Sequence, residues 1–421
     1  MPAQCTAGIL PLRAQNAGER HLPALDGVRG VAIVLVLLFH LTPDSHVRAA
    51  RFVEWIYKVA WSGWIGVDLF FVLSGFLITG ILLRTREEPR YFTNFYMRRT
   101  LRIFPLYFGV LFVIFGVLDH LSVARGLGIQ TIAPHQLWFW CYATNFGMAL
   151  HTTGSLNFSN TPVMGVGHFW SLAVEEHYYL FWPAIVWMCD TRTLARICWV
   201  LIAGAFVLRT LVTATHPVWL HPLYFLLLSP LRMDTLAAGS LLAIAIRQHG
   251  KSIFFVRHRG GIWVGCGAVL AARAYVKKGL WPGDPFINSI GLSMIACFAA
   301  ATLALALFSS ASRPLGRFWS HWAVRFMGKY SYGIYVFHPF VQGVAVSTLS
   351  AAVLGRWLHQ PEAGGILFVT ICISVTVAVA YASYHLYEKR FLSLKKYFES
   401  DSGSPLRGSR VFDAMSAEST T

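Results

Sequence analysis

Apolar runs longer than a soluble core helix needs recur along the whole chain, at about 28–43, 62–83, 101–118, 168–188, 194–214, 225–246, 260–276, 286–308, 330–349 and 363–387. A hydrocarbon layer ~30 Å thick takes about 20 consecutive apolar residues of helix to cross. The pattern therefore predicts an all-α integral membrane protein, with about ten transmembrane helices enclosing a polar intramembrane site. A composition of 56% hydrophobic and 13% charged residues agrees with that class.

The net charge of +16 could suggest a nucleic-acid partner. The basic residues instead lie in short loops between apolar runs, which fits anionic lipid and a positive-inside topology and sets nucleic acid aside. Counted for ten crossings from a cytoplasmic N-terminus, the inner segments hold 25 Lys and Arg and the outer loops 7, with Arg209, Arg232 and Arg273 left inside spans. An eleventh crossing at 136–150 would put later basic loops outside, so that aromatic stretch is expected to be re-entrant or interfacial, within an outer loop at about 119–167. The seven cysteines show no CxxC spacing and read as small buried hydrophobes; no metal site is expected. The first 20 residues carry Arg13 and Arg20 but no apolar core with a cleavage site, so no removable signal peptide is expected. The expected organisation is a cytoplasmic segment at 1–20, a transmembrane domain at 21–391 and a disordered cytoplasmic tail at 392–421.

Ionisable residues inside a membrane are functional candidates by default. In the first span Arg29 sits at the mouth and His40 follows eleven residues later, on the same face and about 16 Å deeper. Asp68, Glu175, Arg209 and Arg232 are expected at overlapping depths in the outer half, with His168 opening the fourth span seven residues before Glu175 and Asp234 beside Arg232. Two readings stand. The charges could simply neutralise one another, Asp68 or Glu175 opposite Arg232. Alternatively, a histidine at mid-depth with carboxylates nearby has the parts of an oriented general base. Ser74-Gly75 suits close helix packing better than nucleophilic catalysis. At the inner surface Arg99 and Arg102, three apart at the start of the third span, present guanidinium groups suited to phosphate, with Arg29 at the same level.

These residues resemble acyltransferase family three, the membrane O-acyltransferases typified by enzymes that acetylate bacterial surface sugars. The resemblance runs from about Leu22 to Phe391 and rests on five stretches in order. They are Arg29 with His40; Gly66-Val67-Asp68-Leu69-Phe70-Phe71-Val72-Leu73-Ser74-Gly75-Phe76; Arg99-Thr100-Leu101-Arg102 with Pro105 and Tyr107; His168-Phe169-Trp170-Ser171 through Glu175-Glu176; and Ser331-Tyr332-Gly333-Ile334-Tyr335 through His338-Pro339. Arg390 departs from the pattern, standing where the family often has proline. The resemblance implies a ten-helix fold, a cytoplasmic acyl-coenzyme A donor, His40 as the catalytic residue, and Arg99 with Arg102 at the donor's phosphates. Some relatives add an extracytoplasmic esterase-like domain, which is not expected here.

The expected function is an O-acetyltransferase of a bacterial inner membrane, both termini cytoplasmic, moving an acyl group from acetyl-CoA to a hydroxyl of an extracytoplasmic carbohydrate or lipid-linked glycan. His40 would act as general base or as an acyl-histidine, Asp68 or Glu175 would orient it, Arg232 would steady the oxyanion, and Arg29, Arg99 and Arg102 would hold the donor. Two rivals remain: an acyltransferase for a diffusible acceptor such as a macrolide, and a proton-coupled transporter using His40 and Asp68 as a relay.

Overall fold

The computed structural model describes residues 22–42, 51–122, 128–150, 165–215, 227–250, 253–310 and 312–398, with 51–55 as backbone only. The expected N-terminal segment, part of the expected outer loop and the tail beyond Phe398 lie outside these residues. Among the described residues there is no strand. Each expected span falls on a long helix: α1 Pro23–Leu41, α2 Gly66–Thr85, α3 Tyr91–Leu111, α4 Phe169–Met188, α5 Thr191–Thr215, α6 Ser229–His249, α7 Arg259–Lys277, α8 Leu292–Leu307, α9 Ser331–Thr348 and α10 Pro361–Ser383. With their flanking turns, six of these helices are long and apolar enough to cross a membrane on that ground alone, and α9 with Ala351–Trp357, bent by 48°, makes a seventh. The protein is an all-α integral membrane protein. The other three, α4, α6 and α7, carry Glu175 and Glu176, Arg232 and Asp234, and Arg273, polar groups that depress the hydropathy of a span. The aromatic stretch at 136–150 forms two short helices, Gln136–Trp140 and Thr144–Leu150, neither long enough to cross. Helical structure runs on to Phe398, past the boundary expected at Leu392.

Small residues set the helix crossings. A Cβ on Gly75 would strike the Leu236 carbonyl, and one on Gly239 would strike the Val72 carbonyl, so α2 and α6 meet backbone to backbone. Gly27 and Gly30 of α1 likewise abut the carbonyls of Trp319 and Val324, while Gly328 abuts that of Asp26. The crossings fix direction as well as distance. Asp68 meets Arg232 and, further along, Thr79 meets Ser240, so α2 and α6 run parallel; Ser74 to Glu175 and Thr79 to Trp182 make α4 parallel to both. These are the relative directions that spans two, four and six of the expected topology require.

Candidate active site

The site grows from the last turn of α1. His40 is half-buried, and its Nδ1 lies 3.0 Å from the Val36 carbonyl one turn back. A carbonyl oxygen only accepts, so Nδ1 carries the hydrogen and Nε2 holds the lone pair. The Gln342 side-chain amide of α9 donates to the His40 carbonyl, in the last turn of α1. One turn earlier on α9, the fully buried His338 packs its ring against His40, centroid to centroid 4.7 Å and inclined 66°. Pro339 explains the pose of His338. Proline has no N–H to give the carbonyl four residues back, that carbonyl belongs to Tyr335, and the His338 Nδ1 takes it at 2.7 Å. His168, at the mouth of α4, completes the group: its Nδ1 is 2.8 Å from the Gly165 carbonyl and its ring centroid 5.4 Å from that of His338. The Tyr335 hydroxyl ties the two helices, donating to the His168 carbonyl at 2.9 Å and lying 2.5 Å from the Ser171 hydroxyl.

Alongside lies a buried charge cluster. The Arg232 Nη2 meets Asp68 Oδ1 at 2.7 Å, and the guanidinium lies over the rings of Phe71 and Trp170. Next to it Arg209 of α5 meets Asp234 at 2.7 Å and reaches the Leu231 carbonyl and the Ser293 hydroxyl. All four side chains are at most 3% exposed. The guanidinium forks and the surrounding hydroxyl and carbonyl acceptors satisfy much of what burial would otherwise leave unmatched.

Toward the other end of the bundle the polar groups continue along one face of α4. Glu175 accepts from the Ser74 hydroxyl at 2.7 Å, the Tyr179 hydroxyl donates to Ser74 at 3.0 Å, and the Arg99 guanidinium stands over the Tyr179 ring, 5.2 Å from its centre. His168, Ser171, Glu175 and Tyr179 are three to four residues apart, so they form a continuous polar stripe. Arg29, bonded to Asp26 at 3.0 Å, lies within Coulombic range of Arg102 and Arg99. Arg102 also lines a small cleft with Lys329, Tyr330, Tyr384 and Glu388.

The sequence-derived candidates thus separate into three groups. Arg29, Arg99 and Arg102, drawn from α1 and α3, do converge. Asp68 and Arg232 bond to each other, which is the mutual neutralisation that the sequence left open, and Glu175 bonds to Ser74. The ring of His40 is held by the Val36 carbonyl rather than by either carboxylate. Ser74 is a hydrogen-bond partner of Glu175 beside the Gly75 crossing. His338, given no role from the sequence, is the imidazole that touches His40. Its signal was the proline after it, which frees a carbonyl for the ring to take.

An all-helical membrane bundle with a half-buried imidazole, arginines gathered toward one end and a polar stripe between them defines a class: polytopic membrane proteins with ionisable groups held between their helices. Residues 22–385 match the acyltransferase-domain family, and the chain belongs to it. It is 27% identical to the peptidoglycan O-acetyltransferase OatA of Listeria monocytogenes, over 77% of this chain and 50% of that protein. It is also 27% identical to the putative peptidoglycan O-acetyltransferase YrhL of Bacillus subtilis, over 88% and 55%, and 31% identical to the O-acetyltransferase OatA of Staphylococcus aureus, over 40% and 25%. The chain spans about half the length of the first two and a quarter of the third. No solved structure matches it.

Proposed function

We propose that this chain is an O-acetyltransferase of a bacterial inner membrane, which takes an acetyl group from cytoplasmic acetyl-CoA and places it on a hydroxyl of an extracytoplasmic carbohydrate, such as a cell-wall glycan. The observation that carries this reading is the arrangement on α1. Arg29, in range of Arg99 and Arg102, is separated from the imidazole of His40 by eleven residues of continuous helix, ~16 Å. A donor with phosphates at one end of a thin arm and a thioester at the other has that form. The names of the relatives support the carbohydrate acceptor.

In this reading Arg29, Arg99 and Arg102 grip the phosphates. The polar stripe of Tyr179, Ser74 and Glu175 borders the arm, and the thioester reaches His40. The His40 Nε2 lone pair takes the proton of the acceptor hydroxyl as its oxygen attacks the thioester carbonyl carbon. The C–O bond forms, the C–S bond breaks, and the proton passes from His40 to the departing sulfur, leaving an ester and coenzyme A thiol. Asp68 and Arg232 act through the ion pair that fixes α2 to α6, and Glu175 through its bond to Ser74, so both support the walls of the site.

Sealed vesicles of known orientation test the reading. Labelled acetyl-CoA supplied on the cytoplasmic side should modify a glycan acceptor confined to the other side, and His40→Ala, at matched membrane levels, should abolish the transfer. Label that appears only when donor and acceptor share the cytoplasmic compartment would overturn the two-sided site in favour of a small cytoplasmic acceptor.

A further inference from the structure

We propose that His338 is the positioning residue of His40, a second imidazole that packs against the catalytic ring while the Val36 carbonyl holds its Nδ1–H; the inference rests on His40 being the base. Three observations carry it. First, the carboxylates expected for this task are engaged elsewhere, Asp68 by Arg232 and Glu175 by Ser74. Second, α9 grips His40 at two points one turn apart, ring against ring at His338 and amide to backbone carbonyl at Gln342. Third, the His338 Nε2 is buried and has no hydrogen-bond partner among the described residues.

The third point is the informative one. A buried acceptor left unsatisfied is a cost that folding ordinarily removes. Here its tautomer is fixed by the chain itself: Pro339 strips the Tyr335 carbonyl of its helical donor, His338 Nδ1–H fills the vacancy, and Nε2 is left as a lone pair. His168 likewise holds a backbone carbonyl with its Nδ1, and the Val336 backbone also lies against its ring. Because each Nδ1–H is committed to the backbone, protons cannot pass through these rings from one nitrogen to the other. That arrangement disfavours a bucket-brigade relay, and His338 presents its Nε2 as a lone pair.

The unprotonated edge of His338, on a ring 4.7 Å from that of His40, favours the imidazolium that His40 becomes between proton uptake from the acceptor hydroxyl and delivery to sulfur. A neutral His40 receives the packing of His338 but not this electrostatic gain. The stabilisation is thus confined to the steps where charge develops, and it should be felt in kcat.

The test compares His338→Phe, which fills the space with a ring lacking nitrogen, with His338→Gln, which loses the ring but places an amide oxygen near the Nε2 position. Wild type and His40→Ala run beside them in membranes with matched protein levels. The expected result is a kcat for His338→Phe at least roughly 10-fold below wild type, with the donor KM within about 2-fold, and a kcat for His338→Gln several-fold above that of His338→Phe. Wild-type kcat in His338→Phe would overturn the proposal. So would His338→Gln falling as far as His338→Phe or further, because the loss would then not follow the acceptor atom at the Nε2 position. Activity in His40→Ala would instead remove the reading on which the inference stands, and the two failures are told apart by that control.

Discussion

At the residue scale, the most telling feature is how few of the buried charges are left for chemistry. Asp68 is not exposed at all, Arg232 is 3% exposed, and they share a 2.7 Å contact. Removing one partner of such a pair strands the other charge, at a cost of about 3–5 kcal/mol, whereas replacing both with apolar groups of similar shape can be close to neutral. Asp68→Asn should accordingly lower the thermal midpoint in detergent sharply, and Asp68→Leu with Arg232→Met should recover most of that loss. The double variant should also regain measurable acetyl transfer. A double variant that melts normally yet transfers nothing would move Asp68 or Arg232 from the walls of the site into the reaction. The pairing itself was foreseeable, because charges inside a membrane seek partners; which carboxylate takes Arg232 was not, because Asp68 and Glu175 stand at overlapping depths in the sequence.

At the element scale, glycine carries the argument. Gly239 lets α6 lie against the Val72 carbonyl of α2, and that approach holds Asp68 within reach of Arg232. A methyl group at Gly239 has only backbone to push against, so Gly239→Ala should destabilise the bundle and weaken transfer together. Gly80, on the same helix α2, has nothing within 4 Å of its would-be Cβ, and Gly80→Ala should leave both unchanged. Melting midpoints and specific activities of the two variants, measured side by side, check the contrast. Pro339 is the second element-scale device. The dipeptide His338-Pro339 is plain in the sequence, but its use depends on the i−4 geometry of a helix, which turns a missing N–H into a fixed imidazole tautomer.

At the scale of the whole molecule, the arginines of α1 and α3 lie toward one end of the bundle, and His40 stands ~16 Å further along α1, in its last turn. Arg99→Ala with Arg102→Ala should therefore raise the apparent KM for acetyl-CoA by about 10-fold or more, with a smaller loss of kcat at saturating donor. Steady-state kinetics with titrated acetyl-CoA decide this, and an unchanged KM would move the phosphates to other basic groups, such as Arg29 alone or Lys329 of the cleft that Arg102 lines. The class of protein, the places of the ten helices and the convergent arginines were all legible in the chain, because each follows from local physics: the length of an apolar run, the spacing of residues on one helix face, the charge of a short loop. The partners of the buried groups were not. Asp68 on Arg232, Glu175 on Ser74 and His338 on His40 each join residues more than 90 positions apart. Periodicity along one helix says which face a side chain occupies, but the crossing of two helices, set by where glycine lets their backbones meet, decides which faces touch.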